Sequence, residues 1–173
     1  MKHNAGNDIR MKSDTPPRGN AEKRRREDTG PLSKKIQISI LIIDDEEILR
    51  KQVKAALKAR ISSVVVHEAW DEEGMWHAVT HHRPGLVFMD IQLSGQNGLT
   101  LTRRLKSCFS DIKVAVWSGN DDSEYRRAAD DAGADFFISK KTESIHDLIR
   151  MARQVSVEAG AGSVTRREDG SGD

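Results

Sequence analysis

The chain has 173 residues, of which 36% are hydrophobic and one is cysteine, and its mean hydropathy is −0.62. This length accommodates one domain with residues to spare, and a single cysteine excludes a disulfide-based scaffold. No apolar run approaches the roughly 20 residues needed to cross a bilayer, and no hydrophobic segment follows the charged N-terminus. We therefore expect a soluble, cytoplasmic protein without a secretory signal.

The net charge of +1 hides an asymmetry, because residues 1–35 carry ten Lys or Arg against five Asp or Glu. This segment contains Pro and Gly but almost no apolar residues, which predicts a disordered basic leader. Its run Lys23–Arg26 has no interleaved aromatic residues for base stacking and is followed at once by Glu27 and Asp28. The pattern favours a solvated tail over a nucleic-acid-binding arm, although the latter stays an alternative that predicts strongly salt-dependent binding.

From Ile38 onward, short β-rich runs alternate with helical segments. The predicted strands are 38–43, 63–67, 86–90, 112–117 and 135–139, and the predicted helices are 46–59, 71–81, 98–107, 122–132 and 143–157. In the first helix, Leu49, Val53 and Leu57 belong to an apolar stripe with helical spacing. Thr142 or Ser144 is a candidate N-cap of the last helix. Five such units with near-continuous apolar strands predict a doubly wound α/β domain with a parallel sheet covered on both faces. The Gly-rich, polar composition of residues 158–173 predicts a flexible C-terminal tail.

Four of the predicted strands end on polar residues: Asp44-Asp45, Asp90, Ser118 and Lys140. The carboxyl ends of parallel strands line one crevice, so these side chains should lie close together. Three adjacent carboxylates repel one another unless a cation compensates, and Mg²⁺ suits a site of carboxylates, waters and phosphate oxygens. Asp90 is then a candidate nucleophile that forms an aspartyl-phosphate, while Ser118 and Lys140 contact the phosphoryl oxygens. Each residue taken singly could be a helix cap, a turn residue or a surface charge, but their joint occurrence favours phosphoryl transfer.

The same residues resemble the receiver domain of two-component response regulators. The resemblance rests on Asp44-Asp45, on the segment Asp90-Ile-Gln-Leu-Ser-Gly-Gln-Asn-Gly98, on Ser118-Gly119 and on Gly133-Ala-Asp-Phe-Phe-Ile-Ser-Lys140. The separations of 45, 28 and 22 residues along Asp45, Asp90, Ser118 and Lys140 also match that family. The resemblance covers about residues 36–157 and implies a flavodoxin-like (βα)5 fold with strand order 2-1-3-4-5.

This resemblance implies a role for each site residue. Asp90 would be the phosphoacceptor, and Mg²⁺ would be held by Asp44, Asp45, Asp90 and the backbone carbonyl of Gln92. Ser118 would move towards the phosphoryl group, and Phe137, at the position of the switch aromatic, would turn inward. For Phe137, an ordinary core residue is the alternative, because Phe136 beside it is also aromatic.

The sequence departs from the family pattern at three positions. Ser94 stands where the family often has Pro, which leaves the loop after the acceptor less rigid. Asn97 replaces a frequent Asp, and Lys141 replaces the Pro of a common Lys-Pro pair. None of these changes removes a catalytic group.

The implied function is that of a stand-alone receiver that takes a phosphoryl group from a phosphohistidine on a sensor kinase or histidine phosphotransferase. It would signal through the surface formed by the fourth helix, fifth strand and fifth helix, which would bind a downstream protein or a second copy. Such a protein is not an enzyme beyond catalysing its own phosphorylation and dephosphorylation, and no membrane partner is expected.

Three other functions stay open at this point. The first is a receiver-fold interaction module that is regulated without phosphorylation. The second is the remnant of a DNA-binding regulator, because Val164–Glu168 resembles the opening of a helix-turn-helix domain of one subfamily, with only five residues following. The third is an aspartyl phosphatase, which would need Asp-x-Asp after the first strand.

Two further features carry weaker signals. His77 and His81 have the spacing of a metal-binding pair, with His82 adjacent, but no third ligand is evident and a solvated helix face is favoured. Trp117, beside Ser118, is expected to pack in the core.

Overall fold

A computed structural model of the chain describes residues 37–141 and 145–164, and the side chains of the last helix up to residue 158. The predicted leader, the candidate N-caps Thr142 and Ser144, and residues 165–173 of the predicted tail lie outside these described residues. So does the part of the helix-turn-helix-like segment that follows Val164.

The described chain alternates strands and helices from Ile38 onward. The strands are β1 (Ile38–Ile43), β2 (Val64–Ala69), β3 (Leu86–Asp90), β4 (Gln92–Leu93), β5 (Gln96–Asn97), β6 (Lys113–Ser118) and β7 (Phe136–Ser139). The helices are α1 (Glu47–Arg60), α2 (Glu72–His82), α3 (Gly98–Cys108), α4 (Ser123–Asp131) and α5 (Ile145–Val164).

Five of the strands form one parallel sheet in the order β2-β1-β3-β6-β7. Numbered among themselves, these five strands have the order 2-1-3-4-5, so the expected doubly wound fold is confirmed. The remaining two strands, β4 and β5, form a two-residue antiparallel hairpin between β3 and α3.

The sheet separates two large hydrophobic clusters, because successive residues of a strand point to opposite faces. Ile40 and Phe88 face one cluster, which α1 and α5 cover, and Leu41 and Met89 face the other, which α2 and α3 cover. A third, smaller cluster contains Val116 of β6 and Ala129 of α4. With both faces covered, polar side chains can gather only at the strand ends. None of the helices in the described ranges is long and apolar enough to cross a membrane.

The last helix is longer than its sequence predicts. It continues to Val164, whereas the predicted helix ends at residue 157 and a flexible tail begins at 158. Extending an existing helix adds one backbone hydrogen bond for each residue that is ordered, and Ala159 and Ala161 partly offset the poor helix propensity of the intervening glycines. The predicted end of the last helix is therefore corrected from residue 157 to Val164, whereas the flexibility of the tail stays a prediction.

Candidate functional site

Three carboxylates meet at the carboxyl end of the sheet. Asp44 and Asp45 follow β1, and Asp90 is the last residue of the neighbouring β3. One oxygen from each residue lies within 4.8 Å of the other two. Asp44 is fully buried and Asp90 is 5% exposed, whereas Asp45 faces solvent. The sheet thus brings together the three acidic residues that the sequence predicts for the site.

Lys140 connects two of these carboxylates. Its Nζ atom donates a hydrogen bond of 2.7 Å to Oδ2 of Asp44 and another of 2.7 Å to Oδ2 of Asp90. The residue directly follows β7, and its side chain is only 20% exposed. A single ammonium therefore compensates part of the negative charge of the cluster.

Burial and charge shift the protonation of this pair. Burial raises the pKa of Asp90 above its ordinary value, and the charge of Asp44 adds to this, while Lys140 opposes it. Burial by itself would lower the pKa of Lys140, but the hydrogen bonds to Asp44 and Asp90 outweigh it and hold the pKa above its ordinary value. The lysine therefore stays charged in its partly buried position.

The turn between β1 and α1 is held by the buried side chain of Arg50. Its Nη1 atom donates a 2.6 Å hydrogen bond to the backbone carbonyl of Asp44, and its Nε lies 3.9 Å from Glu68. Oδ1 of Asp44 in turn accepts the backbone N–H of Glu46 at 2.8 Å. Arg50 is absent from the predicted site, although it interrupts the apolar stripe of α1 three residues before Val53, a signal that could have identified it.

Ser94 makes the contact that positions the exposed Asp45. Its hydroxyl donates a 2.6 Å hydrogen bond to Oδ2 of Asp45, across 49 residues of sequence. The sequence marks Ser94 only as a departure from the family pattern. A proline at this position would have no donor for Asp45.

The loop after Asp90 is packed too tightly for a side chain at Gly98. The N–H of Gly98 donates to the carbonyl of Ile91 at 2.9 Å, and a Cβ at Gly98 would lie 1.8 Å from the carbonyl oxygen of Asp90. Asn97 then caps α3 by accepting the N–H of Leu99 at 2.8 Å. The N–H of Gln92 donates to Oδ1 of Asp90 at 3.2 Å, whereas the role of its carbonyl as a metal ligand stays a prediction.

Ser118 ends β6 next to the strand that leads to Lys140. Its buried hydroxyl accepts the N–H of Asn120 at 3.0 Å, and its carbonyl accepts the N–H of Lys140 at 2.7 Å. The strand register pairs Ser118 with Ser139. The structure therefore places Ser118 and Lys140 on adjacent strand ends, as the sequence predicts.

A second link joins these two strand ends. The buried hydroxyl of Ser139 donates to Oδ2 of Asp121 at 3.1 Å and accepts the N–H of Lys141 at 3.2 Å. Asp121 belongs to the loop between β6 and α4, so this loop is fixed to the end of β7. Nothing in the spacing of Asp121 and Ser139 along the sequence signals this contact.

Two aromatic side chains flank the site. Trp117 is buried in the core beside Phe88 and Ile138, as predicted, and its ring centroid also lies 5.0 Å from Nζ of Lys140. Phe137 is half-buried, packs with Val116 and carries the guanidinium of Arg126 4.6 Å from its ring centroid. A switch role for Phe137 stays a prediction.

The histidines of α2 lie apart from the acidic site. The rings of His77 and His81 stack at 4.2 Å, and Nδ1 of His81 lies 2.8 Å from the carbonyl oxygen of His77. His82 stacks instead on His67 of β2, at 3.9 Å. Within the described ranges, the three aspartates are the only group of three or more His, Cys, Asp or Glu side chains close enough to share a metal ion.

Comparison with known proteins gives a consistent result. The family model of the response regulator receiver domain matches residues 40–153. The transcriptional regulatory protein DegU of Brevibacillus brevis is 32% identical over 72% of this chain and 52% of its own length. The transcriptional activator protein ExaE of Pseudomonas putida is 35% identical over 60% of this chain and 48% of its own length. The chain thus spans about half the length of these two relatives.

A solved structure extends the comparison to three dimensions. A response regulator from Thermotoga maritima superposes with a TM-score of 0.62 at 26% identity, over 70% of this chain and 98% of that chain. Together with the match of the family model, this shows that the chain belongs to the response regulator receiver family, whose members are signalling proteins of two-component systems.

Proposed function

We propose that this chain accepts a phosphoryl group on Asp90 from a phosphohistidine of a sensor kinase or histidine phosphotransferase. The observation that carries the proposal is the position of Asp90, a nearly buried carboxylate beside two others and in contact with an ammonium. A carboxylate oxygen of Asp90 would form a bond to phosphorus as the bond between phosphorus and the histidine nitrogen breaks. The electron pair of the broken bond stays on the imidazole, which can take a proton from solvent.

The donor set at the strand ends fits Mg²⁺. Asp44, Asp45, Asp90 and the backbone carbonyl of Gln92 are hard oxygen donors, and Mg²⁺ prefers a few carboxylates together with waters and phosphate oxygens. When bound, the ion neutralises negative charge on the carboxylates and on the phosphoryl oxygens. Lys140 supplies one positive charge for the three carboxylates, so negative charge remains that a divalent cation can neutralise.

Lys140 and Ser118 contribute the remaining contacts. Lys140 already lies 2.7 Å from Asp90, so its ammonium can bind an oxygen of a phosphoryl group on that residue. The hydroxyl of Ser118 would exchange its hydrogen bond with the N–H of Asn120 for one with another phosphoryl oxygen. This exchange would displace the loop between β6 and α4 and change the surface of α4, β7 and α5, which includes Phe137 and Arg126.

That surface would carry the signal to a downstream protein or to a second copy of the chain. DegU and ExaE are named as transcriptional regulators, and the matched part spans about half of each. For this chain, a direct protein–protein output through α4, β7 and α5 is the proposal.

Phosphorylation with a small donor tests the proposal. The protein is incubated with Mg²⁺ and acetyl phosphate, and its intact mass is recorded. We expect one added phosphoryl group, none without Mg²⁺ and none in Asp90→Asn. Asp111→Asn, which changes an exposed carboxylate outside the site, is the matched control and should be phosphorylated like the wild type.

Two outcomes would contradict the proposal. If neither acetyl phosphate nor a cognate kinase phosphorylates the chain, it is a receiver-fold module that works without phosphorylation. If Asp90→Asn still gains a phosphoryl group, another residue is the acceptor.

A further inference from the structure

Trp117 lies between the two strand ends that carry Asp90 and Lys140. In the sheet, Trp117 of β6 is paired with Asp90 of β3 on one side and with Ile138 of β7 on the other. Its ring is almost completely buried, and Nζ of Lys140 lies 5.0 Å from the ring centroid. Lys140 therefore has three partners, namely two carboxylates and one aromatic face.

The three partners differ in how they would respond to a divalent cation. The carboxylates of Asp44 and Asp90 belong to the group of three that would hold the metal, so their hydrogen bonds to Lys140 are open to competition. An indole ring attracts an ammonium through its quadrupole but is no ligand for a hard cation such as Mg²⁺. The contact with Trp117 therefore does not depend on how the carboxylates turn to the metal.

The contact is also placed where cation–π attraction is strong. Such contacts strengthen when the partners are removed from water, and here the ring is buried and the lysine side chain is 20% exposed. The backbone of Lys140 is fixed as well, since its N–H donates to the carbonyl of Ser118. Only the four-carbon side chain of Lys140 can still change conformation, and the indole ring of Trp117 restricts that motion.

We infer that Trp117 is a positioning residue for Lys140, whose ring face keeps the ammonium beside Asp90 when a divalent cation occupies the carboxylates. This inference rests on the proposed function, because it assigns Trp117 a part in the phosphorylation of Asp90. In this view the large side chain at the end of β6 does more than fill the core. It maintains a cation close to a bound metal ion, against their mutual repulsion.

The test compares Trp117→Leu, which keeps an apolar side chain, with Trp117→Phe, which keeps an aromatic face. At saturating Mg²⁺, we expect the phosphorylation rate with acetyl phosphate to fall roughly 2- to 30-fold in Trp117→Leu, the factor that corresponds to a cation–π contact. Trp117→Phe should retain most of the rate. Trp76→Leu is the matched control, because Trp76 has Arg104 5.5 Å from its ring centroid but does not contact Lys140, and its rate should equal that of the wild type.

Metal binding separates positioning from a general loosening of the site. Mn²⁺ serves as the probe, and its free concentration is followed by electron paramagnetic resonance without any phosphodonor. A lysine that is released from the ring repels the metal less, so Mn²⁺ affinity in Trp117→Leu should be unchanged or higher. A collapsed pocket would lower it.

The inference is overturned if Trp117→Leu reacts as fast as the wild type, or if its rate and its Mn²⁺ affinity fall together. If Trp117→Leu does not fold, Trp117→Met replaces it, because the unbranched methionine side chain adapts better to an irregular space and also lacks an aromatic face. Wild-type protein that is never phosphorylated on Asp90 would refute the proposed function instead, whatever the variants bind.

Discussion

Substitution of Gly98 by alanine sets two physical effects against each other. Gly98 is the first residue of α3, where alanine has the better helix propensity, so propensity alone predicts a gain of about 0.5–1 kcal/mol. The structure predicts the opposite sign. A Cβ at this position would lie 1.8 Å from the carbonyl oxygen and 2.8 Å from the carbonyl carbon of Asp90.

The clash cannot be relieved by a change of rotamer, because both atoms belong to the backbone. Overpacking of this kind costs about 1–3 kcal/mol, and separation of the two segments also breaks the hydrogen bond from Gly98 to Ile91, worth about 1 kcal/mol. After the gain in propensity is subtracted, we expect Gly98→Ala to lower the free energy of unfolding by about 1–3.5 kcal/mol. This corresponds to a decrease of roughly 3–14 °C in the melting temperature.

Urea and thermal unfolding followed by circular dichroism measure the effect. Gly119→Ala is the matched control, since a Cβ there meets no atom within 4 Å and the variant should unfold like the wild type or slightly later. Because Asp90 must move to relieve the clash, Mg²⁺ binding should weaken in Gly98→Ala as well. A Gly98→Ala protein at least as stable as the wild type, with normal Mg²⁺ affinity, would refute the close packing of this loop against Asp90.

Three further predictions concern charge and metal. Burial raises the pKa of Asp135, but hydrogen bonds from Lys113, Lys106 and the N–H of Val114 outweigh it and hold the pKa below its ordinary value. Ionised Asp135 therefore stabilises the folded state above about pH 4, and this contribution is lost as the pH falls through the folded-state pKa. In urea unfolding at neutral pH, Asp135→Asn should lower the free energy of unfolding by roughly 1–2 kcal/mol, and below about pH 4 its stability should depend less on pH than that of the wild type. Burial, with the charges of His82 and Lys54, lowers the pKa of His67, so its contribution is complete above about pH 6.5 and disappears as the pH falls through the folded-state pKa. A His67 titration midpoint by NMR at or above that of an unfolded peptide would contradict this, and His67→Gln should weaken the pH dependence of stability in that range. Mg²⁺ at about ten times its dissociation constant should raise the free energy of unfolding by about 1.4 kcal/mol in the wild type and in Asp111→Asn, but by much less in Asp45→Asn at the same concentration.

The periodicity of the sequence predicts the architecture well, for a simple reason. Strands that are buried on both faces must be almost wholly apolar, and the helices that cover them must carry an apolar stripe. β1 and β3 begin and end at the predicted residues, and the other strands of the main sheet differ by one or two. The order of the strands came from the resemblance to a family rather than from periodicity, which is local and contains no information about neighbours.

Elements without periodicity were missed. The hairpin of β4 and β5 has two residues in each strand, too few for an alternating pattern. The sequence does not reveal where α5 ends. The glycines after residue 158 suggest a break, but they lie within the helix. Local composition cannot tell whether an existing helix will be extended through such residues.

The site residues at the strand ends could be predicted from the sequence, but the side chains that hold them in position could not. Asp44, Asp45 and Asp90 could be placed because strand ends of a parallel sheet meet at one edge. The hydroxyl of Ser94 on Asp45, and the guanidinium of Arg50 on the carbonyl of Asp44, depend on side-chain reach across a folded turn. Only tertiary structure specifies such contacts.

The hydrogen bond between Ser139 and Asp121 has a mechanical consequence. It fastens the loop that follows Ser118 to the residue that precedes Lys140, and the backbone bond from Lys140 to Ser118 fastens the same two segments a second time. Two such hydrogen bonds couple the neighbouring strand ends. We therefore expect a displacement of Ser118 to shift the start of α4 and the end of β7 together rather than either one alone.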